Sequence, residues 1–452
     1  MQRNGRRPAE AVLADGSQVE DLIDRAERTV SARVLADQEI FELELVNIFA
    51  KAWIPVALTA ELQQPGDFVT RRIGLDPVIV SRDHVGEYHV MLNVCSHRGA
   101  QVCRGEAGNA RTHTCPFHGW AFGSDGKLVG VPFERLVYGD RLDKARLGLR
   151  HARVGVMSGI IFATWADDAP TLEQYIGDYR FYLDAMLNRT DAGLEACGPP
   201  QRFVVNANWK LLGGYGDNYH VLSMHRSLAD IGAGPTGEQV LYGFKSSVNG
   251  HAVSGPDFER FDTGLEPAQF LAMMPPAGMC AELVPQLERR LSPEQVTYLG
   301  TTPPSTAALF PSTSILMFGA ERAGQQGERP AGQSVNLRFF APLGPDRTEL
   351  FLFYLVERDA PEELKARMRQ NCTAAFGIGG YIDEDDFEVF GSIQRNLDGV
   401  IARQEFACYR AAGTPLDPDP ARPGIAFRGV STDDGQWAFY ERYFEFLEGK
   451  PW

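Results

Sequence analysis

At 452 residues the chain exceeds the length at which one hydrophobic core keeps growing, so two domains are expected. A content of 44% apolar and 23% charged residues excludes long disordered stretches. Its 44 basic against 59 acidic residues leave a net charge of −15, which excludes nucleic acid and anionic membrane as partners.

The opening MQRNGRRPAEAVLADG is basic but lacks the apolar core of a signal peptide, and no apolar run nears the ~18 residues of a membrane span. A cytoplasmic location is therefore expected. Residues 17–50 read as helical: DQEIFELELVNIFAKAW spaces apolar side chains three and four apart, with Asp37 as N-cap. From 52 to 165, short runs such as DPVIVSR, YHVMLNV and GIIFATW between Gly, Pro and Asp predict a small antiparallel β domain. Helical spacing returns in YIGDYRFYLDAML and around NYHVLSMHRSL. Residues 230–260 and 318–333 are rich in Gly, Ser and Pro and predict loops, the first of them a mobile lid. STSILMFG, SVNLRFFAP and ELFLFYLV predict strands of one sheet. PEELKARMRQNC, DEDDFEVFGSIQRNL and DDGQWAFYERYFEFL predict closing helices. The picture is α+β: a small β domain inserted into, or following, a larger domain.

Seven cysteines are too few for a disulfide scaffold in so long a chain. Cys197, Cys280, Cys372 and Cys408 lie far apart and read as buried free thiols, whereas Cys95, Cys103 and Cys115 crowd into one segment, which points to metal. There Cys95 and His97 form a C-x-H pair, and Cys115 and His118 a C-x₂-H pair. Each pair fits one tight loop that offers a thiolate and an imidazole to a shared centre. A Rieske [2Fe–2S] cluster takes two Cys on one iron and two His on the other, so each loop would serve both irons. A structural zinc site draws on the same residue types but pairs like ligands; the mixed pairs favour the cluster. Cys103 reads as a packed thiol nearby, and His113 as a surface or outer histidine.

A [2Fe–2S] cluster moves single electrons, so chemistry on a bound substrate calls for a second metal with open positions. NWKLLGGYGDNYHVLSMH offers Asp217, His220 and His225. Two His and one carboxylate on one face of Fe(II) leave such positions. On a regular helix, residues five apart point about 140° from each other, so chelation by His220 and His225 asks for a bent or broken helix.

These segments resemble the Rieske aromatic ring-hydroxylating dioxygenase large (alpha) subunits. The resemblance rests on C-S-H-R-G-x₃-C, C-P-F-H-G-W-x-F-x₂-D-G-x-L-x₂-V-P and N-W-K-x₆-D-x-Y-H-x₄-H, in that order, and extends over nearly the whole chain. It implies Cys95, His97, Cys115 and His118 as cluster ligands. It implies His220 and His225 as ligands of the mononuclear iron, and Asp217 as a bridge for electron transfer between the sites. In IDEDDFE it implies Asp386 as third ligand, with Asp385 as competitor; an acidic first helical turn explains the charge run equally.

The implied fold is a Rieske domain (52–165) inserted in a catalytic domain whose antiparallel sheet is covered by helices in a helix-grip-like manner. That catalytic domain is made of the helical segment 1–51 and residues 166–452. The implied activity is cis-dihydroxylation of an aromatic ring with O₂, a Rieske monooxygenase (an O- or N-demethylase or aromatic-acid hydroxylase) being the alternative. Electrons would come from NAD(P)H through a reductase and a ferredoxin. A small β subunit would complete an α₃β₃ assembly in which His118 of one subunit meets Asp217 of the next. Gly213 and Gly214 stand where many members carry Glu-Asn, so substrate preference does not transfer. Phe244, Phe258, Met273, Met274, Phe318 and Phe340 are expected as core or pocket wall, and Arg226 or Lys245 as a partner for a carboxylated substrate.

Overall fold

The computed structural model describes residues 12–213, 219–226, 242–258, 265–317 and 335–452. Its contacts divide the chain into Phe49–Leu172 and a larger unit of Met1–Ile48 with Glu173–Trp452, so the smaller is an insertion in the sequence of the larger.

The smaller unit is built of three antiparallel sheets. Asp67–Ile73 and Asp76–Arg82 pair through a two-residue turn at Gly74, whose φ of +58° suits glycine, and Tyr88–Leu92 and Ala107–Asn109 flank them. A second sheet orders Leu128–Gly130, Ala121–Gly123 and Thr112–Thr114, and a third orders Arg153–Met157, Ile160–Thr164 and Ile54–Leu58. Inward-facing Phe68, Ile79, Met91 and Phe122 close a core that also contains Cys95, Cys103, Cys115 and Trp120.

Among the described residues of the larger unit, nine strands form one antiparallel sheet. From Ile425–Val430 it passes through Tyr242–Val248, His251–Pro256, Thr306–Leu309, Thr313–Leu316 and Val335–Pro342 to Thr348–Glu357. The last strand pairs with both Leu194–Ala196 and Gln201–Val205. Val335–Pro342 and Thr348–Glu357 are buried at every position, so helices or loops cover both faces there. On one side Phe340, Leu350 and Leu352 pack with Cys372, Ala375, Phe376 and Ile382, which belong to or follow the helix Glu362–Ala375. The helix Asp434–Leu447 packs its aromatic face (Trp437, Phe439, Tyr443, Phe444) on the strands at 242–256. The α+β, helix-covered sheet agrees with the expected fold class.

Three expectations change. Residues 17–50 are not one helix: Ile23–Asp24 and Thr29–Ser31 are strands, the latter paired with Phe406–Cys408, and the helix proper is Gln38–Glu44. Asp37 sits at its N-cap position but gives its carboxylate to Arg33 at 2.7 Å instead of to the helix. Second, the expected loop and lid at 230–260 is in part the hairpin Tyr242–Val248 and His251–Pro256; its residues 230–241 and 259–260, and the expected loop 318–333, lie outside the described residues. Third, Cys408 is exposed and Cys197 and Cys280 are partly so; only Cys372 of the four scattered thiols is buried.

Two candidate metal centres

In the smaller unit, the two Cys/His loops are built alike. The carbonyl of Cys95 accepts from Gly99 N–H at 2.9 Å, and that of Cys115 from Gly119 N–H at 3.0 Å. Both glycines have positive φ, +78° and +72°. A Cβ at Gly119 would also meet Pro132 Cγ at 2.8 Å, whereas one at Gly99 would meet nothing. The N–H groups of Cys95 and Cys115 are held by the carbonyls of Ala100 and Trp120, both at 2.8 Å. Asn93 braces the first loop, accepting from the Val102 and Cys103 N–H groups and donating to the Cys103 carbonyl at 2.8 Å.

The two loops bring their like side chains together, cysteine to cysteine and histidine to histidine. The His97 and His118 rings lie 4.6 Å apart, and His97 stacks on Trp120 at 4.6 Å with 6° between planes. Both Nδ1 atoms are buried without a hydrogen-bond partner, a state that costs free energy unless a ligand engages them. Burial pushes the Cys95 thiol up, with the neighbouring Cys115 sulfur adding to the rise, so an electron-pair acceptor is what would hold the two as thiolates. Burial likewise lowers the proton affinity of His97, helped by His118. Two sulfurs and two free imidazole nitrogens on paired loops fit a [2Fe–2S] cluster of the mixed-ligand kind. Cys103 is buried in the same core. His113 is buried edge-on to Phe68 rather than at the surface.

In the larger unit, Asn208–Trp209–Lys210 opens the path to the second group. Asn208 caps the turn Trp209–Leu212 by accepting from Lys210 N–H. Lys210 Nζ and the Tyr443 hydroxyl donate to Glu44 Oε1 at 2.5 and 2.6 Å, and Trp209 Nε1 to Oε2 at 2.8 Å. All four side chains are buried, so one carboxylate ties three distant segments together. Burial lowers the Lys210 proton affinity and Glu44 opposes that fall.

Beyond it, Tyr219–Leu222 is a single 3-10 turn rather than an α-helix. The His220 carbonyl accepts from the Ser223 and Met224 N–H groups, and this tight turn brings the His220 and His225 rings within 5.5 Å. One ligand atom each from His220, His225 and Asp386 lies within 4.8 Å of the other two. The contacts of His225 divide by edge: Nε2 is 3.5 Å from Asp386 Oδ1 and Nδ1 is 3.3 Å from Asp385 Oδ2. Burial lowers its proton affinity, but Asp386 and then Asp385 outweigh that, leaving it raised. The donor set fits a ferrous ion held on one face. Asp217 and Gly214 lie outside the described residues.

The helix that carries Asp386 is anchored at its start by a residue outside the expected ligand set. The helix Asp383–Asn396 begins with Asp383, fully buried, which accepts from Arg338 Nη2 at 2.8 Å and from Gly377 N–H at 2.7 Å. Only its place in the acidic run hinted at it. The role of Trp120 had a clearer signal, lying within the C-P-F-H-G-W motif. Of the expected wall or core residues, Phe244 and Phe340 are buried, Met273 and Met274 are exposed, and Phe318 lies outside the described residues. Lys245 is buried and donates to the Thr432 carbonyl, and Arg226 is exposed.

Residues 52–138 match the Rieske [2Fe-2S] domain and residues 172–449 the catalytic domain of the ring hydroxylating alpha subunit. The chain is 32% identical to the chlorobenzene dioxygenase subunit alpha of Cupriavidus sp., covering 95% of this chain and 93% of that one. It is 34% identical to the biphenyl dioxygenase subunit alpha of Paraburkholderia xenovorans, covering 96% and 94%. The fold superposes on naphthalene 1,2-dioxygenase from Rhodococcus sp. with a TM-score of 0.84 at 37% identity, over 93% of this chain and 95% of that one. The cofactors of such a domain pair are a Rieske [2Fe–2S] cluster and a mononuclear iron. With both domains in order and relatives matched over more than nine-tenths of both chains, the chain belongs to the ring-hydroxylating dioxygenase alpha subunits, a family of oxidoreductases.

Proposed function

We propose that this alpha subunit is the terminal oxygenase that converts an uncharged aromatic hydrocarbon, O₂, two electrons and two protons into a cis-dihydrodiol. The observation that carries the reading is the presence in one chain of two separate donor sets. Cys95, His97, Cys115 and His118 would hold the cluster, and His220, His225 and Asp386 the ferrous ion. When bound, the cluster supplies electrons singly and the ferrous ion supplies O₂ activation at its open positions.

The chain's own residues orient and protect these centres. The Gly99 and Gly119 turns fix the cluster loops, and Trp120 covers one face of His97. Asp383 fixes the helix that presents Asp386. Asp217 is assigned the bridge between a neighbour's His118 and this chain's iron site.

An uncharged substrate is favoured because Lys245 is already engaged by the Thr432 carbonyl and Arg226 is exposed. The relatives named for chlorobenzene, biphenyl and naphthalene point the same way. The partners proposed are a small β subunit in an α₃β₃ ring and a ferredoxin and reductase drawing on NAD(P)H. The location proposed is the cytoplasm; no helix among the described residues is long and apolar enough to cross a membrane. Turnover of a panel of aromatic hydrocarbons and aromatic acids under ¹⁸O₂ tests the reading. Two labelled oxygens in one cis-diol of a hydrocarbon support it; a single label, or activity confined to acids, contradicts it.

A further inference from the structure

We infer that Asp385 is a positioning residue for the mononuclear iron site: its carboxylate accepts the Nδ1–H of His225 and so turns Nε2 toward the metal and Asp386. The inference rests on the ligand set proposed above. Its ground is the division of one imidazole between two consecutive acids, Nδ1 at 3.3 Å from Asp385 and Nε2 at 3.5 Å from Asp386. The two ring nitrogens point away from each other, so they cannot serve the same ion. A neutral imidazole carries one N–H, and the group on the far edge from the metal decides which nitrogen bears it. The three-residue set of converging ligand atoms includes Asp386.

Consecutive residues of a helix point about 100° apart. Asp385 and Asp386 therefore reach two edges of one ring only while the helix keeps its rotation about its own axis. Asp383 supplies that constraint through Arg338 and Gly377, from a fully buried position two residues earlier. The acidic run thus divides into an anchor, an orienting carboxylate and a ligand. A first turn that merely answers the helix dipole would need no such division. A carboxylate behind a metal-binding histidine fixes the tautomer and raises the ring's basicity, and its loss typically weakens metal binding about ten- to a hundredfold.

The test titrates ferrous iron alone, anaerobically and against a competing chelator, into enzyme whose mononuclear site has been emptied while the cluster's visible absorption is intact. Asp385→Ala is expected to weaken iron binding about ten- to a hundredfold, with the cluster spectrum unchanged. Asp385→Asn, whose amide oxygen still accepts from Nδ1–H, is expected to restore most of the affinity, which a purely structural role would not do. Wild-type affinity in Asp385→Ala overturns the inference. So does loss of iron in both Asp385 variants as complete as in Asp386→Ala, which would make Asp385 the ligand. Undiminished iron in Asp386→Ala and His225→Ala would instead remove the ligand set itself, a failure separable from that of Asp385.

Discussion

Gly119 carries two constraints that Gly99 carries only in part. Both sit at positive φ, but a methyl group at 119 would collide with Pro132 whereas at 99 it meets open space. Gly119→Ala adds that collision to left-handed backbone strain of about 1–3 kcal/mol. It should therefore lose cluster absorption on mild heating well before Gly99→Ala; equal retention in the two variants would contradict the loop geometry. His251 is a second residue whose setting dictates behaviour. Its Nδ1 accepts from Phe310 N–H at 2.9 Å, and complete burial pushes its pKa down to about 3. The unfolded chain takes up this proton at the ordinary value near 6.5, while the folded chain stays neutral until about 3. As pH falls below about 6.5 the unfolded state therefore binds more protons, and stability drops by up to about 1.4 kcal/mol per pH unit from this group. His251→Asn should flatten the pH dependence of the urea unfolding midpoint between pH 7 and 5; identical slopes would refute the account.

At the scale of elements, Glu44 joins the helix Gln38–Glu44 to the turn Trp209–Leu212 and the helix Asp434–Leu447. Its ion pair with Lys210 is wholly buried, so removing one partner leaves the other as an unpaired buried charge. Lys210→Met should cost about 3–5 kcal/mol, and adding Glu44→Gln should recover part of that loss. Denaturant midpoints of the single and double variants check it, and simple additivity would contradict the coupling.

Legibility divides along the same lines. The two Cys/His loops are legible as a unit because their proposed ligands, turns and glycines are local and fixed in spacing. The hairpin Tyr242–Val248 with His251–Pro256 is not, because its Gly and Ser content mimics a loop. Its serines are buried instead: Ser254 bonds Thr306 at 2.6 Å and Ser246 bonds the Pro423 carbonyl at 2.7 Å, so tertiary context overrides local preference. Thr29–Ser31 becomes a strand for a similar reason, its partner being Phe406–Cys408 at the far end of the chain. In the acidic run, sequence narrows the proposed third ligand to Asp385 or Asp386. What separates their surroundings is the edge of His225 that each faces, a contact across 160 residues that no local pattern encodes.

For the molecule as a whole, the inserted unit and the larger unit each build their own candidate centre, one from loops between short strands and one from a turn and a helix beside a large sheet. The central claim is that a single chain carries both a paired-iron cluster and a separate ferrous ion. Counting iron and acid-labile sulfide per chain in fully loaded enzyme and in the double variant His220→Ala with His225→Ala tests it most directly. The account predicts one iron in excess of sulfide in the wild type, and that excess alone missing from the variant, with the cluster spectrum retained. Equal iron and sulfide in the wild type, or an excess that survives both substitutions, would contradict it.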